Sequence, residues 1–186
     1  MSDEELVKKI IKGDRKAMDE LVDRYYKKIY NYFYRNTRNE DLSYEYTQEV
    51  FYKIFSKINS FDFKYKFSTW IYSISHNYLI DSIRKKKARS FSDSSSDELY
   101  FDERFNVNSL QKSTEEEVIY KEYIEKLWKV VSLLPPEYKE LIIMRYVNEM
   151  KYEEMAEILE IPMGTLKNKL FRAKAKLLEL WKKYDG

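Results

Sequence analysis

The segment at residues 152–177 constrains the fold of this chain more than any other part of the sequence. Apolar residues recur in it at three- and four-residue spacing, first over a short stretch and then, after a break, over a longer one. The apolar positions that can share one small core are Met155, Ala156, Ile158, Leu159, Ile161, Leu166 and Leu170. The cations left on the outside are Lys167, Lys169, Arg172, Lys174 and Lys176. The pattern predicts a helix-turn-helix, in which a short helix and a tight turn precede a longer helix that enters the major groove of DNA.

The composition of the whole chain indicates an all-α protein. The 186 residues include only 3 Gly and 3 Pro, and hydrophobic residues make up 44% of the chain. Few turn formers and many Lys, Glu, Leu, Ile and Tyr favour helices, and this length suits one medium domain or two small ones. Because the chain has no cysteine and a single histidine, His76, we expect no disulfide framework, no metal site and no cofactor.

Signals for targeting and for catalysis are missing from the sequence. It contains no apolar run of about 18 residues and no signal peptide, so we expect a cytoplasmic protein that does not insert into membranes directly. It also contains no nucleophile–base constellation and no glycine-rich loop that could hold a phosphate. We therefore predict that the protein is not an enzyme in its own right.

Charge is arranged in blocks, although the formal net charge is only +2. Residues 61–89 hold seven cations and two anions, and residues 162–183 hold seven cations and one anion. Between these segments, residues 90–117 hold eight anions and two cations. Two basic segments separated by an acidic one predict two nucleic-acid surfaces and a middle segment with another task.

Helical periodicity divides the chain into two groups of predicted helices. The first group spans residues 3–12, 15–36, 43–58 and 68–87, with a polar turn at 37–42 and an aromatic, basic loop at 59–68. The second group begins near residue 114. Residues 90–113 are rich in Ser and Asp without a helical period and predict a flexible acidic linker, whose aromatic residues suggest that it docks on something. We thus expect two small helical domains, at 1–89 and 114–186.

Three stretches of the sequence, taken in order, resemble one protein family. YEYTQEVFYKIF at 44–55 is similar to a family helix with an acidic residue, then Gln-Glu, then an aromatic. FSTWIYSISHNYLIDSIRKKK at 67–87 is similar to a helix that starts with Thr-Trp and ends in a basic run, and residues 134–177 are similar to a C-terminal domain. Together they cover nearly the whole chain and resemble the extracytoplasmic-function (ECF) sigma factors, the small two-domain class of the sigma-70 family.

The resemblance implies a transcription initiation factor that binds core RNA polymerase and directs it to specific promoters. Residues 1–89 would read and help melt the −10 element, residues 114–186 would read the −35 duplex, and the acidic linker would thread the polymerase channels. The implied partners are promoter DNA, the clamp helices of the largest polymerase subunit, the polymerase flap and an anti-sigma factor. The positions that match the clamp-binding face are Asp41, Glu45, Gln48 and Glu49, for which a merely solvated helix face is the alternative.

The loop at 59–68 is the sharpest predicted site, because the family uses it to hold a flipped −10 base. Strand opening requires a pocket for the base, aromatic rings for stacking and cations for the single-stranded backbone, and this loop carries all of these residue types. The predicted −10 contacts are Asn59, Ser60, Phe61, Lys64 and Lys66 in the loop, and Ser73, His76, Asn77, Arg84, Lys85, Lys86 and Lys87 on the next helix. The alternative for Phe61 and Phe67 is that they anchor the loop to the core.

The predicted −35 contacts lie on the second helix of the helix-turn-helix. They are Gly164, Thr165, Lys167, Asn168, Lys169, Phe171, Arg172 and Lys174. Gly164 would let backbone amides approach a phosphate, Asn168 can read adenine, and Arg172 can read guanine. Two departures from the family pattern are Glu160, where the turn often has Gly, and Lys-Asn-Lys at 167–169, where Lys-Ser-Arg is common. If Glu160 is left-handed, its side chain costs about 1 kcal/mol.

Two other functions stay open at this level. One is a free-standing helix-turn-helix regulator that acts on duplex DNA alone, although such a regulator needs neither the loop at 59–68 nor the polar face at 45–49. The other is a degenerate sigma factor that titrates an anti-sigma factor. It would associate with that factor without supporting a promoter-dependent transcript.

Overall fold

The structure, a computed structural model, describes residues 1–92 and 115–185 and contains no strand in those ranges. The first four helices, here called the N-terminal half, are α1 (Asp3–Ile11), α2 (Arg15–Thr37), α3 (Glu40–Lys57) and α4 (Phe67–Ser92). The second four, the C-terminal half, are α5 (Glu115–Ser132), α6 (Pro136–Ile142), α7 (Tyr152–Ile158) and α8 (Met163–Asp185). The predicted all-α class is therefore confirmed, and the predicted linker lies outside the described residues except for its first three, which extend α4.

Polar side chains fix where the first three helices begin. Ser2 forms a capping box with Glu5 at the start of α1. Asp14 accepts hydrogen bonds from the first amides of α2, and Asn39 Oδ1 accepts from the Leu42 amide at 2.8 Å. Because Asn39 caps α3, that helix begins at Glu40, and the predicted polar turn at 37–42 is wrong in its extent.

The N-terminal half packs α1, α2, α3 and α4 around aromatic and branched side chains. α2 contributes two of the largest fully buried side chains, Tyr32 and Phe33, at 0% exposure. Other fully enclosed members of this core are Leu6, Leu21, Ile29, Ile54, Phe67 and Ile71. Removing each such side chain from water contributes about 1.5–3 kcal/mol to folding, which explains how four helices hold together without any disulfide.

The C-terminal half contains the predicted helix-turn-helix as α7 and α8. Pro136 occupies the first turn of α6, and the chain continues from α6 as a π-helical segment at Ile143–Val147. Met155 and Ile158 of α7 are buried, as is Leu166 of α8, so the two helices share one core. The turn between them places Glu160 at φ 52°, which confirms the left-handed conformation considered from the sequence.

The two halves pack against each other. α4 lies along α7, while α2 contacts α6 and the π-helical segment. Buried apolar residues form one continuous cluster that runs from Leu6 in α1 to Ala173 in α8. None of the helices in the described part of the chain has the length and hydrophobicity needed to cross a bilayer.

Candidate nucleic-acid interface

The exposed side of α8 carries most of the predicted −35 contacts. Leu166, Leu170 and Ala173 anchor the helix in the core, each at 2% exposure or less. Since these anchors lie at three- and four-residue spacing, the intervening positions face outward. The predicted contacts found exposed are Gly164, Thr165, Lys167, Asn168, Phe171, Arg172 and Lys174, while Lys169 is half-buried.

The residues of this surface differ in their exposure and in their side-chain partners. Phe171 is 74% exposed, an unusual state for an apolar ring on a helix. Lys169 Nζ pairs with Glu137 at 3.1 Å, and the hydrogen bond of Lys174 with Tyr146 raises the pKa of that lysine. A Cβ added at Gly164 would meet nothing within 4 Å, so the start of α8 is open to an approaching ligand.

The loop between α3 and α4 divides its aromatic rings between core and surface. It opens with a 3₁₀ turn at Ile58–Ser60, after which Phe61 is 5% exposed and packs edge-on against Phe67 with ring centroids 5.7 Å apart. Phe63 and Tyr65 point outward, at 42% and 52% exposure. The structure therefore places Phe61 as an anchor of the loop, as the alternative reading of the sequence proposed, and leaves Phe63 and Tyr65 as the accessible rings.

The polar loop residues lie beside those two rings. Asn59, Ser60, Lys64 and Lys66 are all exposed. Ser60 Oγ donates to the Lys57 carbonyl at 2.7 Å, and the Lys64 amide donates to Asp62 Oδ1 at 3.0 Å. These short-range bonds set the loop conformation while leaving the lysine ammonium groups at the surface.

Helix α4 carries the remaining predicted −10 contacts. Asn77, Arg84, Lys85 and Lys86 are exposed, and Ser73 is half-buried with its hydroxyl donating to the Thr69 carbonyl at 3.0 Å. Asp81 Oδ1 lies 3.9 Å from Arg84 Nη1, an ion pair between successive turns of the helix. Lys87 belongs to α4, but its side chain lies outside the described residues.

His76 is the exception on this helix, because it contacts the C-terminal half. Its Nδ1 lies 2.7 Å from Glu140 Oε1, and the Tyr32 hydroxyl donates to the same oxygen. Complete burial and the Glu140 carboxylate raise the pKa of Tyr32 well above its usual value, so that the phenol keeps its proton. The side chain of His76 is 15% exposed and that of Glu140 is 4% exposed.

Sequence reasoning did not single out Glu140. A signal was available, because Glu140 precedes Ile143 and Met144 by three and four residues, and both of those are 0% exposed. A carboxylate on the buried face of a helix requires a donor from elsewhere in the fold. That donor could not be named from the sequence, because Tyr32 and His76 lie on other helices.

Helix α3 turns its predicted clamp-binding residues away from the core. Asp41, Glu45, Gln48 and Glu49 are exposed, whereas Ser43 and Thr47 on the opposite side are at 0%. Two aromatic residues of the same helix, Tyr44 and Tyr52, are also exposed, at 54% and 72%. The exposed side of α3 is thus acidic and aromatic together.

The C-terminal half also contains an apolar groove between α5, the π-helical segment and α8. Its volume is about 690 Å³, and its lining includes Leu127, Trp128, Leu177 and Trp181. Lys174 lies at its edge. A groove of this kind fits an apolar helix face better than a small polar ligand.

Comparison with known proteins identifies the family. Residues 21–89 match the family described as "Sigma-70 region 2", and residues 124–177 match "Sigma-70, region 4". Over 175 residues the chain is 34% identical to the ECF RNA polymerase sigma factor SigW of Bacillus subtilis (strain 168), with 92% of each chain covered. The chain belongs to the ECF RNA polymerase sigma factors.

Further relatives agree with this assignment. The chain is 30% identical over 181 residues to the ECF RNA polymerase sigma-E factor of Escherichia coli (strain K12), with 94% of this chain and 91% of that one covered. Two solved structures share its fold. The sigma factor RpoE in complex with the anti-sigma factor NepR from Bartonella quintana matches with TM-score 0.69 and 20% identity, over 90% of this chain and 98% of that one. CnrH in complex with the cytosolic domain of CnrY matches with TM-score 0.70 and 17% identity, over 98% and 99%.

This sigma factor is a transcription initiation factor that directs RNA polymerase to promoters. The family resemblance and the general function predicted from the sequence are therefore confirmed.

Proposed function

We propose that the sigma factor divides promoter recognition between its halves. Residues 114–186 bind the −35 duplex, and residues 1–89 bind and help open the −10 element. The observation that carries this proposal is the presence of two separate exposed surfaces rich in cations and aromatic rings, one on α8 and one on the loop before α4. Each half has the residues that its own DNA substrate requires.

The −35 surface suits a duplex. The N-terminal part of α8 is exposed on one side, so that it can enter a major groove. Asn168 and Arg172 supply the side chains that read adenine and guanine, and Phe171 can contact a thymine methyl group. Lys169 and Lys174 are engaged with Glu137 and Tyr146, which favours a phosphate or supporting role for them.

The −35 assignment predicts a sequence-dependent loss for Arg172→Ala. If two guanidinium nitrogens of Arg172 donate to one base, the binding free energy for the −35 duplex should weaken by about 1–3 kcal/mol. The binding free energy for a scrambled duplex should change little. Fluorescence anisotropy with labelled duplexes measures both. Lys182→Ala is the matched control, because Lys182 is an exposed cation near the C-terminal end of α8 and its replacement removes the same single charge. Equal loss on both duplexes would assign Arg172 to a phosphate instead.

The −10 surface suits single-stranded DNA. Phe63 and Tyr65 can stack on bases that leave the duplex, and Lys64 together with the basic end of α4 can follow the phosphates. Phe61 contributes by holding the loop in place. Asn59 and Ser60 lie at the start of the loop, where short polar side chains can hydrogen-bond an extruded base.

The protein partners bind elsewhere. The acidic and aromatic side of α3 is proposed to bind the clamp helices of the largest polymerase subunit, with Asp41, Glu45, Gln48 and Glu49 at its centre. The apolar groove of the C-terminal half is proposed to bind the polymerase flap. An anti-sigma factor is the third proposed partner, supported by the NepR-bound RpoE structure. The sigma factor itself would perform no catalysis, which belongs to the polymerase.

Run-off transcription with purified core polymerase tests the proposal as a whole. The sigma factor should give a defined transcript whose start site lies downstream of paired −35 and −10 sequences. Reversing the charge of the α3 face with Glu45→Lys and Glu49→Lys should abolish the transcript and leave −35 duplex binding intact. Specific binding of the anti-sigma factor without any transcript would support the titrating alternative.

A further inference from the structure

Helix α1 lies against the loop before α4, although it precedes the part of the chain that matches the sigma-70 region 2 family. Leu6, Val7 and Ile10 bury one side of α1 in the core of the N-terminal half. The helix also contacts the 3₁₀ turn that opens the loop, and it contacts α4. This packing fixes the position of α1 relative to the loop.

Two acidic residues at the start of α1 add polar bonds to this packing. Glu4 Oε1 accepts a hydrogen bond at 3.3 Å from the amide of Phe67, the first residue of α4. Asp3 Oδ1 lies 2.9 Å from Arg24 Nη1, and Asp3 Oδ2 accepts a hydrogen bond from the Tyr25 hydroxyl. Both carboxylates are thus bound to other helices, and they hold α1 in place instead of neutralising the lysines that follow them.

Lys8 is the residue of α1 whose side chain reaches the accessible part of the loop. Its Nζ lies 5.4 Å from the centroid of the Phe63 ring, and Phe63 is one of the two exposed rings of the loop. Lys8 is itself exposed, and it forms no ion pair with any residue in the described ranges 1–92 and 115–185. A cation over a ring that is open to water is held only weakly, so Lys8 can leave the ring when a base stacks there.

The cations of the loop itself have acidic neighbours. Lys66 Nζ pairs with Glu154 at 2.9 Å, and Lys64 lies two positions after Asp62, whose carboxylate accepts a hydrogen bond from the Lys64 amide. These carboxylates weaken the attraction of the loop for a phosphate. Lys8 adds an unpaired charge beside the exposed ring, and its flexible four-carbon stem lets the ammonium move toward the backbone of a bound strand.

We infer that Lys8 of α1 is a further contact for the single-stranded −10 DNA. A base that stacks on Phe63 displaces the Lys8 ammonium from the ring, and the ammonium then binds the phosphate next to that base. Stacking of a base on an aromatic ring is stronger than an exposed lysine–ring contact, so the exchange favours the DNA-bound state. The inference rests on the proposed −10 assignment of the loop, because the phosphate reaches Lys8 only if a strand lies on this loop.

Lys8→Gln is the variant that tests the contact, because glutamine removes the charge and keeps a long polar side chain of similar helix propensity. Lys9→Gln is the matched control. Lys9 is an exposed cation in the same last turn of α1, about 100° further around the helix axis. Lys64→Gln tests the proposed −10 surface independently of α1. All three positions are exposed, so thermal unfolding of these variants should match that of the wild type.

Salt dependence of single-strand binding by the RNA polymerase holoenzyme measures the contact. The probe is a fluorescent single strand with the −10 sequence that run-off transcription maps, and its anisotropy gives the affinity between about 50 and 200 mM salt. Each phosphate contact of a single strand contributes about 0.7 to the steepness of log affinity against log salt. Lys8→Gln should reduce the steepness by about 0.7, so its affinity falls about 2.6-fold less over this range than that of the wild type. Lys9→Gln and Lys8→Arg, which keeps the charge, should retain the wild-type steepness.

The outcomes separate this contact from the −10 assignment on which it rests. Reduced steepness for Lys64→Gln but not for Lys8→Gln would overturn the contact and leave the −10 surface in place. Wild-type steepness in both variants, or no binding of the strand by the wild-type holoenzyme, would overturn the −10 assignment together with the contact. An equal reduction for Lys9→Gln would assign the effect to the overall charge of α1, and weaker binding of core polymerase by Lys8→Gln would place Lys8 in the polymerase interface. Either result would overturn the specific contact of Lys8 with the strand.

Discussion

At the scale of single residues, three non-glycine positions within residues 1–92 and 115–185 adopt a left-handed backbone. They are Arg38, Glu149 and Glu160, with φ between 52° and 55°. Arg38 ends α2, and Glu149 and Glu160 lie on either side of α7. Side chains with a Cβ are disfavoured in this conformation, so each of these turns is held by the packing of its flanking helices.

Glu160→Gly should make the sigma factor more stable. Glycine adopts φ 52° without a steric penalty, so the free energy of unfolding should rise by up to about 1 kcal/mol. The greater flexibility of glycine in the unfolded chain reduces this gain. Thermal and urea unfolding followed by circular dichroism measure the change. Glu157→Gly, an exposed site inside α7, should instead lower stability by about 0.5–1 kcal/mol. A destabilised Glu160→Gly would mean that Glu160 makes a contribution beyond its backbone angle.

At the scale of the element, the loop before α4 depends on two buried rings to present two exposed ones. Phe61 contacts Phe67 and Trp70, with ring centroids 5.7 and 5.3 Å away. The Phe63 ring packs on the Phe61 ring with centroids 5.0 Å apart and is exposed at the surface, as is Tyr65. The loop is therefore anchored at its base, as the proposed base-capturing pocket requires, and accessible at its tip.

Phe61→Ala and Tyr65→Ala should separate these two roles. Phe61→Ala leaves a cavity under the loop and should lower the free energy of unfolding by about 3–5 kcal/mol. Tyr65→Ala should change stability by less than about 0.5 kcal/mol, because its ring is already half in water. With core polymerase and a promoter, Tyr65→Ala should still reduce the permanganate reactivity of −10 thymines. Unchanged reactivity would show that Tyr65 takes no part in the proposed strand opening.

At the scale of the whole molecule, the buried cluster does not stop at the boundary between the halves. Tyr32, in the core of the N-terminal half, is also the residue whose hydroxyl reaches Glu140 across 108 positions of sequence. The hydrogen bond of Asn148 with Tyr72 and the ion pair between Lys66 and α7 flank this bond. Stability of the free protein therefore includes a contribution from the contact between the halves.

Calorimetry should detect this coupling. The wild type should unfold in a single transition, since the halves share one cluster of buried residues. Glu140→Lys should unfold in two transitions, or with a melting temperature lower by several degrees, because about 3–5 kcal/mol is lost when a buried pair loses a partner. Glu122→Lys, the same charge change at an exposed position of α5, should behave like the wild type. Two transitions already in the wild type would show that the halves unfold independently.

Sequence alone determined the helices, the helix-turn-helix and the family of this protein. Helical spacing of apolar residues is a local property, and so are the caps at Ser2, Asp14 and Asn39, which is why most helix limits could be predicted within a few residues. The same periodicity predicted the exposed side of α8, because the apolar residues Leu166 and Leu170 are four positions apart and so lie on one side of the helix.

Only the tertiary structure decided which predicted site residues are accessible. Phe61 and Phe63 are both aromatic, and His76 and Asn77 are both polar, so residue type could not show which member of each pair is the less exposed. Phe61 is buried because its ring packs on Phe67 and Trp70, and His76 is partly enclosed because it bonds with Glu140. Such contacts join residues that are distant in sequence, and their geometry is set by how whole helices pack. Local periodicity carries no information about that packing.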